Sequence, residues 1–166
     1  MHDHGSHPEP PSLDRLAFSA TVHCLTGCGI GEVVGLVVAT ALGWSNVAAI
    51  VLAVALAFVF GYSLTLRPLL AAGIGLRSAT ALALSADTVS IAVMEIVDNA
   101  IVLLVPGAMD APLGDPLFWA TLALALGVAF VAAYPVNRWL IARGRGHARV
   151  HAAHGARPEG HTPPEH

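Results

Sequence analysis

VAAIVLAVALAFVFGYSLTL, residues 47–66, runs without one charged side chain and stops at Arg67-Pro68. A helix needs about 20 apolar residues to cross a hydrocarbon core of about 30 Å. The stretch is too long and too alanine-rich for a strand and lacks period-2 alternation. It reads as a membrane span, and the rest of the chain falls into place around it. On its N-terminal side, Gly43-Trp44-Ser45-Asn46 signals a turn, preceded by a largely apolar run from 13 to 42 that Asp14, Arg15, His23 and Glu32 interrupt. On its C-terminal side, 69–76 forms a short connection with Gly73 and Gly75, and Arg77 opens a third span, 77–105, containing Asp87, Glu95 and Asp98. A Pro-, Gly- and Asp-rich loop follows. Asp115-Pro116 then has the pattern of an N-cap with Pro at the first helical position. The fourth span is 117–141.

The predicted fold is all-α, a polytopic membrane protein built as a four-transmembrane-helix bundle. The membrane domain covers 13–142, between a His- and Pro-rich tail at 1–12, expected to be disordered, and a basic, His-rich tail at 143–166. Composition agrees. Of 166 residues, 55% are hydrophobic and 11% charged, against about 25% charged in an ordinary soluble domain. Mean hydropathy is +0.69. A soluble enzyme domain, a disordered chain and a secreted disulfide scaffold are excluded. A net charge of −3 leaves no footprint for nucleic acid. No hydrolase or kinase motif and no nucleotide loop appears.

All 8 basic residues are arginines: Arg15 before the body of span 1, Arg67 and Arg77 around the second connection, and Arg138, Arg143, Arg145, Arg149 and Arg157 at or beyond the end of span 4. Four spans put them on one side, whereas three would divide them. The positive-inside rule then predicts that both termini lie in the cytoplasm. Leu25-Thr26-Gly27-Cys28 has the pattern of a lipoprotein cleavage site, but the start is acidic and the apolar run continues past Cys28, as in a span.

Ionisable residues inside a bilayer are expensive and face the bundle interior or a water-filled cavity. On span 3, at 100° per residue, Thr80, Met94 and Asp98 lie within roughly 20° of Asp87, with Ser90 and Glu95 at roughly −60° and +80°. Span 1 carries two neighbouring stripes. His23, Gly27, Gly31, Gly35 and Ala39 repeat every four residues, and so do Cys24, Cys28 and Glu32. The glycines make a small-xxx-small surface for close approach of a partner helix or a second copy. By rise per residue, Cys24 and Asp87 lie roughly 13–15 Å past Arg15 and Arg77, and Glu32 and Glu95 roughly 25–27 Å past them. If spans 1 and 3 are neighbours, a lower layer combines His23, Cys24, Cys28 and Asp87 as metal ligands. An upper layer combines Glu32, Met94, Glu95 and Asp98 as a cation or proton path. Thiolate, imidazole and thioether suit copper or zinc. The plainer alternatives are that the glycines only pack helices, that the cysteines are small buried hydrophobes, and that the carboxyls are structural. His2, His4 and His7 at the start, with His147, His151 and His154 near the end, suggest metal capture by the tails.

His23-Cys24-Leu25-Thr26-Gly27-Cys28-Gly29-Ile30-Gly31-Glu32, Asp98-Asn99, Pro106-Gly107-Ala108-Met109, and Ala133-Tyr134-Pro135-Val136-Asn137-Arg138 followed by Gly144-Arg145-Gly146-His147 carry a family resemblance. Across roughly 16–151 the chain resembles a family of small bacterial membrane proteins known only as a domain of unknown function. The resemblance implies a membrane fold and a bacterial origin, hence a multi-pass protein of the bacterial cytoplasmic (inner) membrane, and no assigned activity. From the residues themselves, the functional expectation is handling or transport of a transition-metal cation of the copper or zinc class. A membrane thiol-redox or electron-transfer component and a non-catalytic assembly protein are the alternatives.

Overall fold

A computed structural model describes residues 12–143. Four helices follow one another, α1 Leu13–Ala41, α2 Asn46–Ala71, α3 Leu76–Leu104 and α4 Pro116–Ala142, and each is long and apolar enough to cross a membrane. Among the described residues there is no strand, only a short 3₁₀ turn at Ala108–Asp110. The protein is a multi-pass membrane protein. Each helix packs along its chain neighbour, α1 also packs on α4, and α1 and α3 meet across the middle.

Local chemistry sets the helix ends. Ser12 and Ser45 accept hydrogen bonds from the backbone N–H of Arg15 and Ala48, and Asp115 accepts one from Leu117 at 2.8 Å, with Pro116 at the first helical position. Gly43 and Gly73 close α1 and α2 with φ of 65° and 81°, which glycine adopts without a Cβ penalty. At Gly73 the Gly73 N–H bonds the Leu70 carbonyl and the Ile74 N–H bonds the Leu69 carbonyl, which satisfies two otherwise orphaned acceptors.

That closure corrects the expected end of the second span. The helix does not stop at Leu66 but continues through Pro68 to Ala71. Pro68 costs one donor. Leu69 repays the continuation: it is fully buried against Ala79, with Leu66, Ile74 and Leu82 around it.

The bundle is small-sided within and large-sided without. Ala17, Ala57, Ala79, Ala125, Ala129 and Ala133 have no exposed surface, while Val51, Ile96, Leu104 and Val131 point outward. Buried positions on α2 fall at Ala49, Ala53, Ala57, Gly61, Thr65 and Leu69, every fourth residue. The glycine stripe of α1 lies on this stripe. A Cβ at Gly27 would stand 2.7 Å from the Gly61 Cα, one at Gly35 2.6 Å from the Ala53 Cα, and one at Gly31 would strike the Ala57 backbone. The partner helix on Gly27, Gly31 and Gly35 is therefore α2 of the same chain. Of the two expected occupants of the stripe, a partner helix or a second copy, the structure places a helix of the same chain there.

At the arginine end, Arg138 Nε lies 2.6 Å from the Asp14 carboxylate and ties α4 to α1. At the opposite end, Asn46 Nδ2 donates to Asp110 at 3.2 Å and ties the two loops together. Overpacking a tight contact costs ~1–3 kcal/mol and occasionally more. Gly31→Leu should lower stability by at least about 2 kcal/mol on that scale. Val51→Leu, on the outer face, should stay within about 0.5 kcal/mol of the native protein. Thermal unfolding in detergent checks both; equal tolerance would mean that α1 and α2 do not meet through Gly31.

Candidate functional site

Seating α1 on α2 through its glycines turns the adjacent stripe of Cys24, Cys28 and Glu32 toward α3. The polar stripes of α1 and α3 thus face each other inside the bundle. Glu32, Asp87, Ser90, Glu95 and Asp98 are all buried.

At the loop end, a cavity of about 110 Å³ leads inward from Trp44, Asn46 and Met109 to Glu32 and Asp98. A water needs roughly 10–15 Å³ of such space, so this vestibule has room for several. Its walls are largely apolar, with Leu36, Ile50, Val102 and Leu122 among them, and its floor is acidic. The Glu32 and Asp98 side chains interact directly across α1 and α3. Even so, Glu32 Oε2 and Asp98 Oδ1 are buried without a hydrogen-bond partner. One turn deeper, both carboxyl oxygens of Glu95 are also buried without one; Cys28, Asp98 and Asn99 are among its polar neighbours. Buried polar atoms are normally satisfied, by protein or by water. Here the orphaned oxygens of Glu32 and Asp98 stand at the foot of a cavity, with those of Glu95 one turn below.

The upper layer expected from sequence assembles in part. Glu32, Glu95 and Asp98 come together. Met94 does not join them; it packs with Cys24, Cys28, Ile91 and Ala57 in an apolar cluster. The lower layer divides. Cys24 Sγ lies 4.0 Å from Asp87 Oδ1, Cys28 sits by Glu95, and His23 Nε2 pairs with Thr65 Oγ1 on α2 at 2.9 Å. Both cysteines are free thiols. Among the described residues, no three His, Cys, Asp or Glu side chains form a set that could hold a metal ion. His2, His4, His7, His147, His151 and His154 lie outside the described residues.

Thr65 is the residue that sequence reading missed. It meets both His23 and Asp87, and so joins the side chains that the cysteine stripe alone does not. A hydroxyl has one proton to give and a carboxylate only accepts. If Thr65 donates to Asp87, it accepts from His23, whose proton is then on Nε2. The available signal was the every-fourth-residue stripe of α2, which Thr65 continues. The same holds for α4, where Thr121 and Asn137 continue the buried stripe of Ala125, Ala129 and Ala133, and Asn137 Nδ2 donates to Thr21 Oγ1 at 2.9 Å.

The sequence model of a protein family described as a domain of unknown function (DUF4396) matches residues 15–146, which takes in the four helices almost entirely. Neither a curated protein nor a solved structure matches the chain.

The geometry makes a clear statement about access. A cysteine introduced at Thr40, which lines the vestibule, should react with a water-soluble maleimide. Cys24 and Cys28, each 1% exposed, should react at least roughly tenfold more slowly until the protein is unfolded, because a buried group reacts only through opening. Mass spectrometry of labelled peptides checks this; comparable rates at all three positions would contradict a vestibule that ends above the thiols.

Proposed function

The chain belongs to the DUF4396 family, and we propose that this membrane protein handles a cation, of the copper or zinc class, taken up through the vestibule onto Glu32 and Asp98. The carrying observation is the pair of buried, incompletely satisfied carboxyls at the foot of a water-sized cavity. Charge buried in a bundle must be offset, either by protons or by a cation. The described arginines, Arg15, Arg67, Arg77, Arg138 and Arg143, are at the other end of the helices, so none of these five offers that compensation.

Two carboxylates and several waters make a first station for a hydrated ion. The softer donors Cys28, Met94 and Cys24 lie deeper, and they favour copper or zinc over magnesium or calcium. In this reading Glu95, with its two orphaned oxygens, is the step between the hard and the soft donors. His23 and Asp87 serve the lower end of the same interior, and the tail histidines capture ions from solution. The positive-inside rule places the arginine end and both termini in the cytoplasm of a bacterium, with the vestibule on the outer side of the inner membrane. A reporter fused at Pro112 should then be active outside and one fused after Arg149 inside; the reverse pattern would overturn the orientation.

Metal titration of the purified full chain tests the site. Glu32→Gln with Asp98→Asn should remove one zinc ion per chain, while ions held by the tails remain. Cys24→Ser with Cys28→Ser should weaken copper(I) by more than it weakens zinc, since thiolate is the softer ligand. Unchanged stoichiometry in the carboxyl variant, measured by elemental analysis after gel filtration, would sink the proposal.

A further inference from the structure

Two polar groups of residues lie one above the other in the bundle, and a largely apolar belt, which also holds Ser90 and the thiols of Cys24 and Cys28, separates them. Above are Glu32 and Asp98, at the foot of the vestibule, with Glu95 beside Asp98. Below are Asp87, Thr65 and His23. Asp87 and Glu95 are eight positions apart on one helix, roughly 12 Å along the axis. Between them Ile91 and Met94, 0% and 1% exposed, pack with Ala57 of α2 and with Ala129 and Ala133 of α4. Ile91 fills a notch in α2: a Cβ on Gly61 would stand 2.6 Å from its Cδ1. All four helices thus meet at this level through Cys28, Ala57, Ile91 and Ala129, with Ile91 as the largest side chain in the constriction.

We infer that the Ile91–Met94 belt is the closed barrier of a cation path, with the Glu32–Asp98 pair as its outer station and Asp87 as its inner one. This rests on the cation reading above and adds translocation to binding. Ile91 fills the cross-section of this belt, so water is excluded and the thiols and thioether packed around it cannot close on an ion until the belt opens. The polar residues on its far side have no role in a site that only binds from the vestibule. Asp87 supplies a carboxyl at the depth where an ion leaving the belt regains a ligand, with Thr65 beside it. Truncating Ile91 opens the belt without touching a residue of either station.

The test uses the full-length protein in sealed vesicles with a zinc-sensitive dye inside, zinc outside and a potential negative inside. Ile91→Ala should raise zinc influx at least roughly tenfold over the native protein. Adding Asp87→Asn, or Glu32→Gln with Asp98→Asn, should return it to the native rate. If Ile91→Ala does not purify as a folded helical protein, Ile91→Val, which removes the Cδ1 seated against Gly61, opens the same belt and is read the same way. A folded belt variant with native influx overturns the inference. So does a raised influx that ignores both carboxyl substitutions, since that describes an unselective hole. Zinc binding to the native protein, measured separately, tells the two readings apart. Binding without influx in the belt variant leaves the cation site standing and removes the path. Absence of binding removes both.

Discussion

The seating of α1 on α2 governs the rest of the interior. Gly27, Gly31 and Gly35 face Gly61, Ala57 and Ala53 so closely that no Cβ fits at the first three. In a bilayer, helices gain nothing from burying apolar side chains against each other instead of against lipid, so close van der Waals approach carries the association. This contact fixes the rotation of α1 about its own axis. One step around the helix from the glycines is the stripe of Cys24, Cys28 and Glu32, and it turns toward α3. Had α1 rolled by one residue, Glu32 would leave its place against α3, and Asp98 would lose the side chain that faces it.

The polar interior then depends on small residues elsewhere. Alanines along α2 and α4 keep the bundle narrow, and Ile91 with Met94 fills the space left at its centre. The outward faces are valine, leucine and isoleucine. Such helices are polar inside and apolar outside, the reverse of a soluble bundle. A carboxyl at the centre of a span costs about 2.5–3.5 kcal/mol on insertion scales, and α3 carries three. That sequence is retained in a stable bundle because the other helices shield its carboxyls from lipid.

Much of the fold was legible in the sequence. The uncharged run at 47–66, the turn at Gly43–Asn46 and the Asp115-Pro116 helix start were each read from local chemistry, and each stands in the structure. Pro68 misled, because proline reads as a helix end while Leu69, whose burial holds the helix together beyond it, gives only a tertiary signal. The meeting of Glu32, Glu95 and Asp98 followed from depth and helical angle once spans 1 and 3 were taken as neighbours. The division of the lower layer did not. Periodicity places His23 beside Cys24 on one helix, but its side chain reaches to Thr65 on another. Thr65 itself was hidden in a span that a charge count reads as featureless. A glycine stripe says that a helix approaches closely and leaves open which helix it is; here it is α2.

The central claim is that the Glu32–Asp98 pair at the foot of the vestibule holds a cation. Anomalous diffraction at the zinc edge, from crystals of the full chain grown with zinc, addresses it most directly. The account predicts a peak at the vestibule floor, about 2.0–2.2 Å from a carboxyl oxygen of Glu32 and one of Asp98. Zinc found only on histidines of the tails, with the vestibule floor holding none at saturating zinc, would contradict it.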